Sequence, residues 1–85
     1  MLQPVEISTR VQDWVLGHFP LAQESKIGPT DSLFDSGIVD SLGILEIVMF
    51  LEEDLGLTIE DEDMVADHFE TIEAITRFAN HKLSA

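Results

Sequence analysis

Of the residues in this 85-residue chain whose type could do chemistry, Ser41 is the best placed. It directly follows Asp40, a good helix N-cap residue, so it falls in the first turn of the helix that begins there. Unpaired amides and the helix dipole make such a position suited to an attached phosphate, although serine is also an ordinary helix-start residue. A hydrolytic role would need a histidine base, an oxyanion hole and usually a strained turn around the serine. Ser41 has no Gly-x-Ser-x-Gly context, and His18, His68 and His81 fall on helices or at their ends. The acidic run Glu60-Asp61-Glu62-Asp63 invites a calcium reading, yet no segment has the glycine at the sixth and glutamate at the twelfth position of an EF-hand loop. It reads more simply as an acidic helix start, and no metal site is expected. With no cysteine in the chain, thiol nucleophiles, thiolate metal sites and disulfides are excluded.

The elements that hold Ser41 can be read from apolar spacing. Ile7, Val11, Trp14, Val15 and His18 form a helical stripe over about Val5 to His18. Phe19-Pro20 ends it, because a residue before proline is pushed out of the helical region. Pro20 to Asp40 then reads as one long loop, with Leu33, Phe34 and Ile38 as anchors and Phe34 buried to close it onto the core. A second helix runs from after Asp40 to about Asp54 and stops at Gly56. Leu57-Thr58-Ile59 is a short extended connector, Glu60 to about His68 a short acidic helix. The last helix starts at Thr71 and repeats apolar residues at Ile72, Ile75, Phe78, Ala79 and Leu83. No alternating strand pattern is present. The expected fold is all-α: one domain over residues 1–85, a small bundle of three main helices plus one short helix, with a long loop between the first two.

The second helix carries two apolar faces. With Ser41 at zero, Ile44, Ile47, Val48, Leu51 and Leu55 fall between about 240° and 340° on a helical wheel, the core side. Leu42, Leu45 and Met49 fall between about 40° and 100°, among Glu46, Glu52 and Glu53. An apolar strip with an acidic rim is the anatomy of a docking surface that a partner covers in passing. Packing of the same strip against the long loop or the short helix is the competing reading.

Seventeen Asp and Glu against four Lys and Arg give a formal net charge of −13. Nucleic acids and anionic membranes would be repelled, and proteins with basic patches favoured. The longest apolar runs are far below the ~20 residues of a membrane span, and nothing at the start suggests export. The expectation is a cytoplasmic protein, and a single small core with repulsive charge favours a monomer.

The string Leu33-Phe34-Asp35-Ser36-Gly37-Ile38-Val39-Asp40-Ser41-Leu42 resembles the attachment site of acyl carrier proteins. The likeness extends through the acidic second helix, ending Leu51-Glu52-Glu53-Asp54-Leu55, to Phe69-x-Thr71-Ile72 at the last one. It implies a carrier and not an enzyme, with 4'-phosphopantetheine from coenzyme A attached at Ser41 and acyl groups held on it as thioesters. It implies further that Asp40 helps bind a phosphopantetheinyl transferase and its magnesium. Leu42, Leu45, Glu46, Met49, Glu52 and Glu53 would meet that transferase, an acyl- or aminoacyl-loading ligase, and downstream acyltransferases or synthases. Gly43 stands where many fatty-acid-synthesis carriers have an acid. The pattern Gly37 to Gly43 looks closer to stand-alone carriers for aminoacyl groups, D-alanine or specialised polyketide extender units.

Overall fold

Residues 3–35 and 37–84 are described by the computed structural model. Helix α1 spans Pro4–His18, α2 Pro20–Glu24, α3 Ser41–Asp54 and α4 Ile72–Ser84, and two single 3₁₀ turns, Asp61–Asp63 and Ala66–His68, lie between the last two helices. No strand forms among the described residues. The three long helices stand where apolar spacing puts them. Phe19 takes extended backbone (φ −111°, ψ 100°) and breaks α1 from α2, as its place before Pro20 requires.

The loop reading of Pro20 to Asp40 is corrected at its start. Proline at the first helical position gives up an amide that would be unpaired anyway, so Pro20 opens a short helix as well as closing the previous one. The short acidic helix is also resolved differently, into the two 3₁₀ turns. Glu60 and Asp63 cap each other's backbone amides reciprocally, which closes a single turn at Met64. Four successive acids repel one another and add little helix propensity to carry it further.

The core joins Ile7, Val11 and Val15 of α1 to Ile47, Phe50 and Leu51 of α3 and Ile72, Ile75, Phe78 and Ala79 of α4. No polar or charged side chain among the described residues is buried. Leu83, placed on the apolar stripe of α4, is partly exposed near the helix end. The loop before α3 is fastened by Leu33, which is fully buried. The Leu33 amide donates to the Glu70 carbonyl (2.7 Å), and the Glu73 amide donates to the Pro29 carbonyl (2.9 Å). Phe34, expected to be the buried anchor, is only half-buried against the core. The backbone bond to Glu70 turns Leu33 inward, and its neighbour then points partly outward. Leu33→Ala should therefore cost about 2–5 kcal/mol in a denaturant melt and Phe34→Ala clearly less. Equal losses would return the anchor to Phe34.

A partly buried ion pair clamps the first 3₁₀ turn to α4: Lys82 Nζ lies 2.8 Å from Asp63 Oδ2. The Lys82 hydrogen bond, helped by the Glu60 amide, holds the Asp63 carboxyl below its ordinary range, and Asp63 raises Lys82 in turn. A depressed carboxylate adds stability above its unfolded pKa and loses it as pH falls through the folded value. A raised lysine adds stability below its unfolded pKa and loses it as pH rises through the folded one. The clamp thus acts at neutral pH. Asp63→Asn should lower the melting temperature there, and the gap to the parent should close in acid. A gap that persists at low pH would show that packing, not charge, is lost.

Candidate functional site: the start of helix α3

Three features of the chain build the start of α3. Gly37 adopts a positive φ of 74°, a conformation that favours glycine, and its amide donates to the Phe34 carbonyl at 3.0 Å. The Val39 amide donates to the Leu33 carbonyl at 3.0 Å, and Ile38 and Val39 are buried. Ser36, part of the motif string, lies outside the described residues. With residues 38 and 39 held in the core, Asp40 emerges at the surface as the N-cap. Its Oδ1 accepts from the Gly43 amide at 2.8 Å, and its carbonyl accepts from the Ile44 amide at 2.9 Å.

Ser41 is the first residue of α3 and is exposed. Its hydroxyl forms no hydrogen bond with the described residues, so the oxygen is open to solvent. The amides of Ser41 and Leu42 belong to the first helical turn and have no intrahelical acceptor. An exposed hydroxyl beside unpaired amides at the positive end of a helix suits an ester-linked phosphate. Hydrolytic chemistry has no such support. His18 pairs with Glu46, His68 stacks on Phe78 with ring centroids 4.5 Å apart, and His81 is exposed on α4. Among the described residues no group of three His, Asp or Glu is arranged to hold a metal ion.

Below Ser41 the two faces of α3 separate as the wheel predicts. Leu42, Leu45 and Met49 keep 65%, 52% and 55% of their surface exposed, which excludes the competing packing within the described residues. Ile47 and Leu51 on the opposite arc keep none, and Ile44 and Val48 are half-buried beside them. Glu52 and Glu53 are exposed, while Glu46 is half-buried because its Oε2 meets His18 Nε2 at 2.5 Å. Trp14 and His18, the two members of the α1 stripe that are not buried, lie at its edge against Phe50 and Glu46 of α3. The buried face of α3 extends further than the wheel indicates, through Phe50 and Gly43.

Gly43 has a packing reason. A Cβ there would approach Val39 Cγ1 to 3.0 Å and the Phe19 ring to 3.2 Å. The α1–α2 junction thus seats its aromatic ring directly on the first turn of α3. A side chain at this position would make Val39 and the Phe19 ring give by a few tenths of an ångström. Gly43→Glu should lower the melting temperature by at least the ~1–3 kcal/mol of an overpacked core, about 4–8 °C for each kcal/mol. An unchanged melt would mean that Phe19 swings away freely.

The family described as "Phosphopantetheine attachment site" matches residues 15–79. The chain belongs to the acyl carrier protein family. Among its relatives, the protein named "Acyl carrier protein 2, chloroplastic" from Spinacia oleracea is 40% identical over 58 residues, 68% of this chain and 44% of that protein. The "Acyl carrier protein" of Thermosynechococcus vestitus is 35% identical over 60 residues, 71% of this chain and 72% of that protein. The chain thus aligns with less than half the length of the first and most of the second. The domain of an acyl carrier protein takes phosphopantetheine as its prosthetic group and carries rather than catalyses. No helix among the described residues is long and apolar enough to cross a membrane.

Proposed function

We propose that Ser41 is the attachment residue and that the chain presents acyl or related groups to cytoplasmic partner enzymes, as a monomer. The observation that carries the assignment is the exposed Ser41 hydroxyl at the first position of α3, inside the matched family segment. When bound, phosphopantetheine supplies the terminal thiol for thioester chemistry that this cysteine-free chain lacks. Ser41 Oγ provides the ester oxygen. The Leu42 amide and the helix dipole favour negative charge beside it. Asp40 fixes the first turn through Gly43 and keeps a carboxylate at the surface, where it fits a role with the transferase and its magnesium.

Partner recognition falls to the outward face of α3. Leu42, Leu45 and Met49 give an apolar centre, with Glu46, Glu52 and Glu53 around them, matching a phosphopantetheinyl transferase, a loading ligase and acyl-group enzymes with basic patches. A second reading of the load, aminoacyl, D-alanyl or a polyketide extender unit rather than fatty acyl, is favoured by Gly43. Its close seat against Val39 and Phe19 would have to give by a few tenths of an ångström to take the acid that many fatty-acid-synthesis carriers have there. Incubation with coenzyme A, magnesium and a broad-specificity phosphopantetheinyl transferase should add one phosphopantetheine by intact mass, mapping to Ser41. No addition, or addition at another serine, would overturn the assignment.

A further inference from the structure

The first turn of a helix frays readily, because its amides lack intrahelical partners. Ser41 is the first residue of α3, so its turn depends on groups beyond its own helical bonds. Asp40 holds one side of that turn, accepting from the Gly43 amide at 2.8 Å. The other side rests on Phe19, whose Cε1 and Cζ lie 3.2 and 3.4 Å from the place a Gly43 Cβ would take. Gly43 is buried there, and Phe19 keeps 9% of its surface exposed. The ring is itself confined. Trp14 meets it edge-on at 5.7 Å and His18 at 5.0 Å. The Phe19 amide donates to the Val15 carbonyl at 3.0 Å, and its carbonyl accepts from the Ala22 amide at 2.9 Å. Phe19 is thus tied into both α1 and α2 and carries their position to the turn that holds Ser41.

We infer that Phe19 is a positioning residue for the loading of Ser41, acting through Gly43 without touching the incoming group. The inference rests on the reading of Ser41 as the attachment residue. In that transfer the Ser41 oxygen bonds to the phosphorus next to the pantetheine arm of coenzyme A. The bond from this phosphorus to the bridging oxygen breaks, adenosine bisphosphate leaves, and the serine proton passes to a base of the transferase. The attacking oxygen must lie in line with the bond that breaks, and a misplacement of about 1 Å can cost about a hundredfold in rate. No hydrogen bond with the described residues aims the Ser41 hydroxyl, so the backbone of the first turn sets its direction. That backbone is seated at Gly43 on Phe19. The strip of Leu42, Leu45 and Met49 is a separate matter, since Phe19 lies under the helix on its buried side. Loss of the strip weakens the encounter with the transferase, whereas loss of the seat slows the step that follows.

The full chain is loaded by the transferase with coenzyme A and magnesium, at a temperature where every variant is folded. Phe19→Leu keeps an apolar side chain but removes the flat ring, and should lower kcat about three- to tenfold with KM unchanged. Gly43→Ala adds the methyl that Val39 and the ring must accommodate. Alanine is the better helix former, so a purely structural role for the seat would leave its loading at the parental rate or above. The expected result is a lower kcat in spite of that. Ile75→Val, at a fully buried position of α4, controls for lost core packing and should load like the parent. A parental kcat for Phe19→Leu or Gly43→Ala, an equal drop for Ile75→Val, or a rise in KM alone would overturn the proposal. Failure of the parent chain to load at Ser41 is a distinct result, which would overturn the attachment reading and the inference with it.

Discussion

Ser41→Ala should abolish phosphopantetheine addition completely while leaving helical content and melting temperature near those of the parent. The separation is expected because nothing structural depends on the Ser41 hydroxyl. It is exposed and makes no hydrogen bond with the described residues, and the cap of α3 is supplied by Asp40. Alanine is also at least as good a helix former. Intact mass after incubation with coenzyme A, magnesium and transferase gives the answer without a partner assay. Modification that persists in Ser41→Ala, or maps to Ser32 or Ser36, would sink the assignment. Asp40→Asn makes a useful companion, since asparagine caps about as well as aspartate. Slow loading with an unchanged melt would isolate the carboxylate's role with the transferase. A lower melting temperature would make Asp40 a structural cap first.

What the sequence made legible depends on how local each determinant is. The end of α1 at His18 follows from one neighbouring proline, and the inward face of α3 from a repeat along one helix, so both were readable. In sequence Pro20 reads only as a stop, although the same ring geometry opens α2 at Pro20 itself. Leu33 and Phe34 are equally apolar neighbours, and only a backbone bond to Glu70 decides which turns inward. Gly43 shows the same limit at the site itself. In sequence it is a weak helix start, whereas in space it is the seat of the Phe19 ring. The Trp14–His18 edge is hidden for a related reason: its neighbours, Glu46 and Phe50, sit on another helix. Ser41 and the Leu42, Leu45, Met49 strip were legible because a helix start and a helix face are short-range patterns.

The two faces of α3 should part cleanly under mutation. Ile47 and Leu51 are fully buried, so Ile47→Ala and Leu51→Ala should each cost about 2–5 kcal/mol. In a domain of this size each kcal/mol lowers the melting temperature by about 4–8 °C. Leu45 and Met49 are more than half exposed, so their alanine variants should melt close to the parent. Helix propensity does not confound the comparison, since alanine is favourable at every one of these positions. The exposed pair should instead slow transfer of phosphopantetheine, because the strip then offers the transferase less apolar surface. Glu53→Lys should act mainly on association rate, with a defect that shrinks as salt rises, since rim charges steer and ions screen them. Glu46→Lys also removes the bond to His18 and should add a small loss of stability to the same kinetic effect. Leu45 and Ile47 stand two residues apart on one helix, so the comparison holds the backbone constant. If Leu45→Ala destabilised the fold as much as Ile47→Ala, α3 would be buried all round in solution, and the outward face would have to be abandoned as a partner surface.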